Sequence, residues 1–237
     1  MKAIRIKFFQ GTASFKEPLW NGTLLPTRPL PPYSTVIGMI HTLCQWGEPH
    51  RIKLSLTCTN EYLGSPQEAF NKGYIGGVTF GTINDEAKAR WSTIVEGAFD
   101  DYIGFTSRLY TTELLVDRYY TLHICVEDEN EFNQIFKAFN YPPVYPSLGR
   151  WEDSIRIDDV KIVEVKEELT HGKLNCYTWL PVKYSPVEGI GSVWEIPTYY
   201  KIVRDKRRFE YIRCYLGEKG ALASYRLDED DEQLILI

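Results

Sequence analysis

The chain has 237 residues, of which 43% are hydrophobic and 14% aromatic, enough to bury the core of one large domain or two small ones. Its formal net charge of -5 provides no general attraction to nucleic acid, so any such site must be a local basic patch. Five scattered cysteines without a C-x-x-C pair, and no apolar run as long as the roughly 18 residues of a membrane span, predict a cytoplasmic protein with reduced thiols, no zinc and no membrane partner.

The first two elements are predicted to be a strand and an amphipathic helix. Residues 3–9, AIRIKFF, alternate apolar and basic side chains, the period of a half-buried strand with one basic face. Residues 27–47, TRPLPPYSTVIGMIHTLCQWG, place three prolines before apolar residues at helical spacing. We therefore predict a helix that is capped by Ser34 and ends at Gly47.

The start of this helix is a candidate phosphate site. A helix N-terminus presents backbone N–H groups and the positive end of the helix dipole, and Arg28, Ser34 and Thr35 stand beside it. A Ser-Thr pair after prolines is also common where nothing binds, and the pattern alone favours that ordinary helix start. Gly38 shifts the balance toward a ligand, because a glycine in the first turn costs about 1 kcal/mol relative to alanine and often marks a close backbone approach.

The middle of the chain is predicted to hold two core strands separated by an insertion. Residues 52–62 and 119–127 show the alternation of strands. Between them, residues 64–116 are rich in glycine and aromatic residues and lack a sustained helical period, which predicts an inserted β-hairpin thumb. The tip of this thumb is acidic, which makes it a poor partner for phosphates.

A second helix, a glycine-containing loop and a fourth strand follow. Residues 129–139 carry four apolar residues at helical spacing after Asp128, a predicted cap. The loop YPSLGRW, residues 145–151, precedes a predicted strand over residues 155–166. The resulting order, βαββαβ, predicts an α+β, ferredoxin-like (RRM-like) domain with a four-stranded antiparallel sheet backed by two helices. This arrangement occurs in RNA-binding and in many unrelated proteins, so by itself it indicates no function.

The remainder of the chain predicts short strands only. We expect a ferredoxin-like domain over residues 1–168, with residues 64–116 as its thumb, and a small C-terminal β subdomain over residues 169–237. The densest basic cluster of the protein lies in residues 201–213. Such a cluster could bind nucleic acid or could be an ordinary solvated hairpin turn, and the sequence leaves both interpretations open.

Four segments together resemble the CRISPR-associated Cas five family of the RAMP superfamily, the subunits that cap the 5′ end of the guide RNA in type I Cascade complexes. They are the strand IRIKFF, the loop and helix TRPLPPYSTVIGMI, the return SRLYTTELLVDRYYTLHI and the loop YPSLGR, in the family's order and spacing. The proline-serine-threonine-x-x-glycine element with a downstream SLGR loop is the most specific of these features. The resemblance is greatest to the branch found in type I-B systems.

This resemblance implies a non-catalytic role in antiviral defence, in which the repeat-derived 5′ handle of the guide RNA (crRNA) lies against the sheet and the first helix and is hooked by the thumb. The implied partners are the crRNA, the backbone Cas seven-type subunit, the large subunit and, through the complex, target DNA, without a cofactor or metal. Arginines would hold phosphates, and a tyrosine would stack on a splayed base. The implied RNA-binding residues are Arg28, Ser34, Thr35, Arg108, Tyr110, Ser147, Leu148, Gly149 and Arg150.

Catalysis is the alternative, since one branch of the family is a metal-independent endoribonuclease that cuts the guide precursor with tyrosine, lysine and histidine side chains. The sequence assembles no such set. His41 falls inside the first helix and His123 in a core strand, where a packed histidine is the ordinary interpretation, while His50 and His171 fall in turns. We therefore expect no enzyme activity. A scaffold that contacts only proteins, the third alternative, would leave the three predicted RNA-binding arginines without an anionic partner.

Overall fold

The computed structural model describes residues 1–17, 24–59, 72–76, 79–83, 93–96, 102–106, 111–184, 192–204 and 206–237; for residues 24, 111 and the segments between 72 and 106 it describes the backbone only. These residues form two α-helices, α1 (Tyr33–Cys44) and α2 (Glu129–Asn140). Neither is long and apolar enough to cross a membrane. The strands of the described residues are β1 (Lys2–Ala13), β2 (Leu24–Leu25), β3 (Lys53–Thr59), β4 (Lys72–Gly76), β5 (Thr79–Ile83), β6 (Thr93–Glu96), β7 (Tyr102–Thr106), β8 (Thr111–Cys125), β9 (Arg156–Glu164), β10 (Thr170–Lys173), β11 (Tyr177–Pro181), β12 (Trp194–Val203), β13 (Lys206–Gly217), β14 (Leu222–Leu227) and β15 (Gln233–Leu234).

A large antiparallel sheet forms the centre of the fold. Its strand order is β12-β13-β11-β3-β8-β1-β9, and every neighbouring pair in this order is antiparallel. Both helices pack on one face, where Ile4, Ile6 and Phe8 of β1 are buried in the main core. The chain is therefore an α+β protein with a mostly antiparallel sheet and few helices, as the sequence predicted at that level.

The predicted core strands correspond to β3, the second half of β8, β1 and β9, which lie side by side in that order. Their alternation is a usable signal because the apolar side chains of each strand pack toward the helices, whereas the opposite face carries polar side chains such as Arg5, although C-terminal residues also cover part of that face. The predicted cap of α2 is also confirmed, since the Asp128 carboxylate accepts hydrogen bonds from the backbone N–H groups of Asn130 (2.8 Å) and Glu131 (2.9 Å). Within the predicted thumb, β4 pairs with β8, and β5, β7 and β6 form a separate antiparallel sheet.

The start of α1 lies two residues earlier than a Ser34 cap requires. The helix begins at Tyr33, its cap position is Pro32, and no side chain of the described residues caps it. The Pro32 carbonyl accepts the N–H groups of Thr35 (2.9 Å) and Val36 (3.3 Å). The predicted cap was therefore wrong, because the proline already supplies the extended backbone and the first carbonyl that a cap residue provides.

The end of α1 lies three residues before the predicted one. Gln45 takes a left-handed conformation (φ 56°) and stops the helix at Cys44. The N–H group of Trp46 then donates to the carbonyl of His41 at 2.9 Å. The prediction of Gly47 was wrong because a glutamine occupies the left-handed position that glycine usually fills.

The predicted C-terminal subdomain contributes to two sheets. Its strands β11, β13 and β12 extend the large sheet beyond β3, and β10, β14 and β15 form a second, three-stranded sheet. The segment after β15 also pairs with the large sheet, because Leu54 and Ile237 exchange backbone hydrogen bonds of 3.3 and 3.2 Å.

The face of the large sheet opposite the helices is covered by these C-terminal residues. Leu234 packs against Ala3 and Val163 on that face, and the backbone N–H of Ile235 donates to the Ser55 hydroxyl at 2.8 Å. Arg5, which the sequence placed on an open basic face, is only 5% exposed. The part of the sheet around Arg5 is therefore closed to a polynucleotide in this structure.

A buried cluster of charged side chains holds the C-terminal residues against this face of the sheet. The Asp228 carboxylate, with no exposed surface, lies 2.8 Å from Arg5 Nη1 and 3.1 Å from Nε2 of His123. It also accepts the backbone N–H groups of Asp230 and Glu232, both at 2.9 Å. Four groups thus converge on one carboxylate and join β1 and β8 to the C-terminal segment.

Candidate nucleic-acid interface

A cleft of about 560 Å³ lies on the helix side of the protein, between α1 along its whole length, the loop before β9 and the hairpin of β12 and β13. Two separate predicted segments meet in this cleft, namely the helix start and the SLGR loop. The predicted RNA-binding residues that line it are Ser34, Thr35, Ser147 and Gly149. Side chains that the prediction missed line it as well: Thr42, Trp46, Tyr145, Tyr200, Arg207 and Phe209.

The helix presents small polar residues and a bare glycine to this cleft. Ser34 and Thr35 are half-buried and Gly38 is exposed. No described atom of another element lies within 4 Å of the position that a Cβ at Gly38 would occupy. The close approach that Gly38 suggested is thus not made by the described part of the chain, and the glycine leaves the helix backbone accessible from the cleft.

The opposite wall is a loop whose backbone is firmly held. Leu148 is fully buried, and the Gln10 side-chain amide donates to the carbonyls of Leu148 (2.7 Å) and Asp153 (3.0 Å). Gly149 has a φ of 105°, and a Cβ at this position would lie 3.2 Å from the Phe15 ring. Glycine is required here because the backbone is left-handed and the space beside it is filled. Leu148, one of the predicted RNA-binding residues, is thus packed in the core beneath the loop and does not line the cleft.

Arg150 faces the carboxylates of its own loop. Its Nε and Nη2 donate to Asp153 at 2.8 and 2.6 Å, and its Nη1 lies 3.1 Å from Glu152. Asp153 is completely buried, so this pairing shapes the loop. The guanidinium retains 25% exposure beside the cleft, and contact with RNA stays a prediction for this residue.

Arg28 is more strongly engaged. Its guanidinium forms a bidentate pair with the Glu17 carboxylate at 3.0 and 3.1 Å, and its Nη1 lies 3.4 Å from the carbonyl of Glu195. The side chain is 7% exposed and is not among the residues that line the cleft. Contact of both Arg28 and Arg150, two of the predicted RNA-binding residues, with one run of phosphates would therefore require both ion pairs to rearrange. Arg108 and Tyr110, the predicted contacts at the base of the thumb, lie outside the described residues.

Three rings, those of His41, Trp46 and His50, lie together at the end of the cleft beside the C-terminus of α1. The rings of His41 and His50 have centroids 5.8 Å apart, and the Trp46 ring stacks on His50 at 4.0 Å. Nδ1 of His50 lies 2.7 Å from the Glu131 carboxylate, and the His50 backbone N–H donates to Nε2 of His41 at 3.4 Å. Burial of the ring, and then the neighbouring His50, lower the pKa of His41 below its ordinary value, so its ring is uncharged at neutral pH.

The third wall is the hairpin, where the sequence indicated only a basic cluster. The guanidinium of Arg207 lies 4.8 Å above the ring of Tyr200, and Tyr200 lies 5.8 Å from the ring of Phe209. Tyr145, on the facing loop, is 78% exposed. The alternation of aromatic and basic side chains in residues 199–213 could have indicated these residues. The position of the hairpin beside α1, however, follows only from the order of strands in the sheet.

The side chains that line the cleft differ in charge from the chain as a whole, which contains 32 aspartates and glutamates. None of the described residues that line it is Asp or Glu, and one, Arg207, is a permanent cation. Hydroxyl groups, a helix N-terminus, exposed rings and a guanidinium are complementary to phosphate, ribose and base together. The arrangement therefore suits a nucleotide chain better than a neutral ligand.

Comparison with known proteins supports a shared fold. No family model matches the sequence, and no curated protein matches it. A chain of a solved structure described as a CRISPR RNA-guided surveillance complex is similar over 93% of this chain and 91% of that chain, with 12% sequence identity and a TM-score of 0.54. Two others are a Cas protein crystal structure (12% identity, 92% of this chain, 95% of that chain, TM-score 0.45) and a type III-B Cmr-beta complex bound to cognate target RNA and AMPPnP (11% identity, 94% of this chain, 86% of that chain, TM-score 0.46). This α+β protein thus has the fold of a chain in an RNA-guided complex.

Proposed function

We propose that the protein is a non-catalytic subunit of a type I CRISPR effector complex that binds and caps the 5′ handle of the crRNA. The observation that carries the proposal is the cleft itself, which is free of carboxylates in the described chain and joins the start of α1 to the SLGR loop. The shared fold with a surveillance-complex chain supports it. We interpret the strand order β3-β8-β1-β9, with α1 and α2 on one face, as the ferredoxin-like core of the RAMP superfamily.

In this proposal the handle lies in the cleft rather than on the covered face of the sheet. The hydroxyls of Ser34, Thr35 and Ser147 contact phosphates or ribose, and Arg207 supplies a charged hydrogen bond. Tyr145 stacks on a base that is splayed out of the strand. The other Cascade subunits, namely the backbone Cas seven-type and large subunits, are the proposed protein partners, and target DNA is reached through them.

Co-expression with the genomic neighbours tests this function. The chain is purified with whatever it retains, and the bound RNA is sequenced. The proposal predicts guide RNAs that begin with a common repeat-derived 5′ sequence and that are lost when the cleft is blocked. A complex that assembles with guide RNA but leaves its 5′ end bound elsewhere would contradict the proposal.

A metal-independent endoribonuclease is the second candidate, because the structure brings His41, His50 and Tyr200 to one end of the cleft. The His41 and Tyr200 rings have centroids 6.4 Å apart. The partners of these rings favour a structural role, since His50 faces Glu131 and His41 accepts a backbone N–H. Incubation of the purified chain with a repeat-containing RNA, with and without a divalent metal, separates the two functions. Cleavage at one site that is abolished by His50→Ala would establish the enzyme and contradict the non-catalytic proposal.

A further inference from the structure

One face of β13 continues the cleft as a row of alternating basic and aromatic side chains. Arg207, Phe209, Tyr211 and Arg213 occupy alternate positions of the strand, so they stand on the same face. We call these four residues the β13 strip. All four are exposed, Tyr211 at 62%. Arg207 and Phe209 line the cleft, whereas Tyr211 and Arg213 lie beyond it.

The direction of the strip is fixed by the core. Ile212 and Cys214 alternate with the strip residues and pack into the main core on the other face of β13, and Cys214 is fully buried. On the neighbouring strand, the partner of Cys214 is Trp194. A register slip by one residue would expose these apolar side chains, so the outward face of the strip is structurally specified.

The positive charge of this hairpin is largely unneutralised. The hairpin, residues 194–217, contains six basic and three acidic residues, a net charge of +3, in a chain whose total is -5. Glu210 is shared between Lys201 (2.9 Å) and Arg51 (3.4 Å). Within the described part of the chain, Arg207 and Arg213 have no carboxylate at salt-bridge distance. A hairpin that contacts only solvent has no need for exposed aromatic side chains between its cations.

We propose that the β13 strip is a second contact surface for single-stranded RNA, along which the RNA continues after it leaves the cleft. Aromatic rings that alternate with cations bind such strands by stacking and by phosphate contact, with little dependence on sequence. The inference rests on the proposed function, because the strip begins at the cleft wall that holds the handle. RNA is favoured over an acidic protein segment because aromatic rings and guanidinium groups alternate along one face of the strand, where bases can stack beside phosphate contacts.

Two RNAs separate the strip from the cleft. One has about eight nucleotides and the other is the same RNA lengthened to about sixteen, within the range that one such module binds. The variants Tyr211→Ala, Tyr211→Phe and Arg213→Ala alter the strip without altering a residue that lines the cleft. Arg208→Ala is the matched control. Arg208 lies directly opposite Lys201 on the neighbouring strand, and its place in β13 puts its side chain on the face opposite the strip.

For the longer RNA, Tyr211→Ala should weaken binding roughly ten-fold while Tyr211→Phe should not, because stacking needs the ring and not the hydroxyl. Arg213→Ala should reduce the slope of log affinity against log salt by about 0.7, the value of one phosphate contact on a single strand. The shorter RNA should bind all variants like the parent, and Arg208→Ala should leave the slope for either RNA unchanged.

Equal binding of the longer RNA by the parent and the Tyr211→Ala variant would overturn the inference. If that variant instead lost a protein partner, the strip would be a protein contact and not an RNA contact. An equal effect of Arg208→Ala and Arg213→Ala would also overturn it, because net charge and not the strip would then be responsible. In both cases the shorter RNA still binds, and the proposed function survives. A parent chain that binds neither RNA contradicts the proposed function itself.

Discussion

The hydroxyl of Tyr33, the first residue of α1, donates to the carbonyl of Trp179 on β11 at 3.1 Å, and the Trp179 indole N–H donates to the carbonyl of Pro31 at 3.0 Å. Both side chains are fully buried. These reciprocal bonds tie the start of the helix to the strand that pairs with β13, so the helix wall and the hairpin wall of the cleft are connected through one pair of residues.

The first prediction concerns this pair. Tyr33→Phe keeps the ring but removes the buried hydroxyl, and the lost hydrogen bond should lower the free energy of unfolding by about 1 kcal/mol. Urea denaturation measures the change. Tyr145→Phe, at an exposed position, serves as the control and should leave stability unchanged. If both variants unfold like the parent, the Tyr33 bond does not stabilise the fold.

A second prediction concerns the cluster around Asp228. Burial alone would raise the pKa of this carboxyl, but hydrogen bonds from His123, the Glu232 backbone and Arg5 outweigh burial and hold the pKa well below its ordinary value. Asp228→Asn leaves Arg5 with the partly exposed Asp230, at 2.8 Å, as its close carboxylate partner, so the loss of the charged hydrogen bonds should cost about 1.5 to 3 kcal/mol of stability at neutral pH. Asp231→Asn, in the same turn but exposed, should cost less than about 1 kcal/mol.

The pH dependence gives this prediction a second readout. The folded-state pKa lies below the unfolded value of about 3.9, so folding favours the ionised form. The stabilisation is complete above about pH 5 and is lost as the pH falls toward the folded-state pKa. The difference between parent and Asp228→Asn should therefore shrink in urea titrations from pH 6 to pH 3. A difference that stays constant over this range would show that the ionised carboxylate is not responsible.

A third prediction separates two arginines by salt dependence. Arg207 lines the cleft and has no ion pair within the described residues, so Arg207→Ala should reduce the salt slope of RNA binding by about 0.7 and leave stability unchanged. Arg28 is buried against Glu17, so Arg28→Ala should instead lower the free energy of unfolding by about 1 to 3 kcal/mol. Its salt slope should equal that of the parent. A reduced slope for Arg28→Ala with normal stability would show that Arg28 leaves Glu17 to contact RNA.

The sequence predicted the helix start and the SLGR loop because both are local patterns that need only prolines, glycine and helical spacing. It could not predict the partners of the charged residues. Arg5 and Asp228 are 223 positions apart, and nothing local relates them. Arg28 meets Glu17 only because the chain folds back after β1.

The hairpin wall of the cleft was missed for a related reason. The basic character of residues 201–213 was evident, but Arg207 reaches the cleft only because β11 and β13 extend the sheet beyond β3 and bring β12 against α1. Likewise, the cover over the opposite face depends on where β15 and Ile237 return to the sheet. Sheet order of this kind is set by long-range pairing, which hydrophobic periodicity does not encode.

Because Gly38 lines the cleft and is exposed, a handle RNA held in the cleft should lie against the backbone of α1 at this position. Gly38→Ala adds one methyl group to the cleft, where no described atom of another element is within 4 Å of it, and should stabilise the protein by up to about 1 kcal/mol through helix propensity. Asn133→Ala, at an exposed position of α2, is the matched control for helix propensity. We expect Gly38→Ala to melt no lower than the parent yet to bind handle RNA roughly ten-fold more weakly, or about 1.4 kcal/mol, while Asn133→Ala binds normally. Binding titrations beside thermal melts make this measurement, and a Gly38→Ala variant that binds the handle RNA as tightly as the parent would show that the RNA does not lie in this cleft.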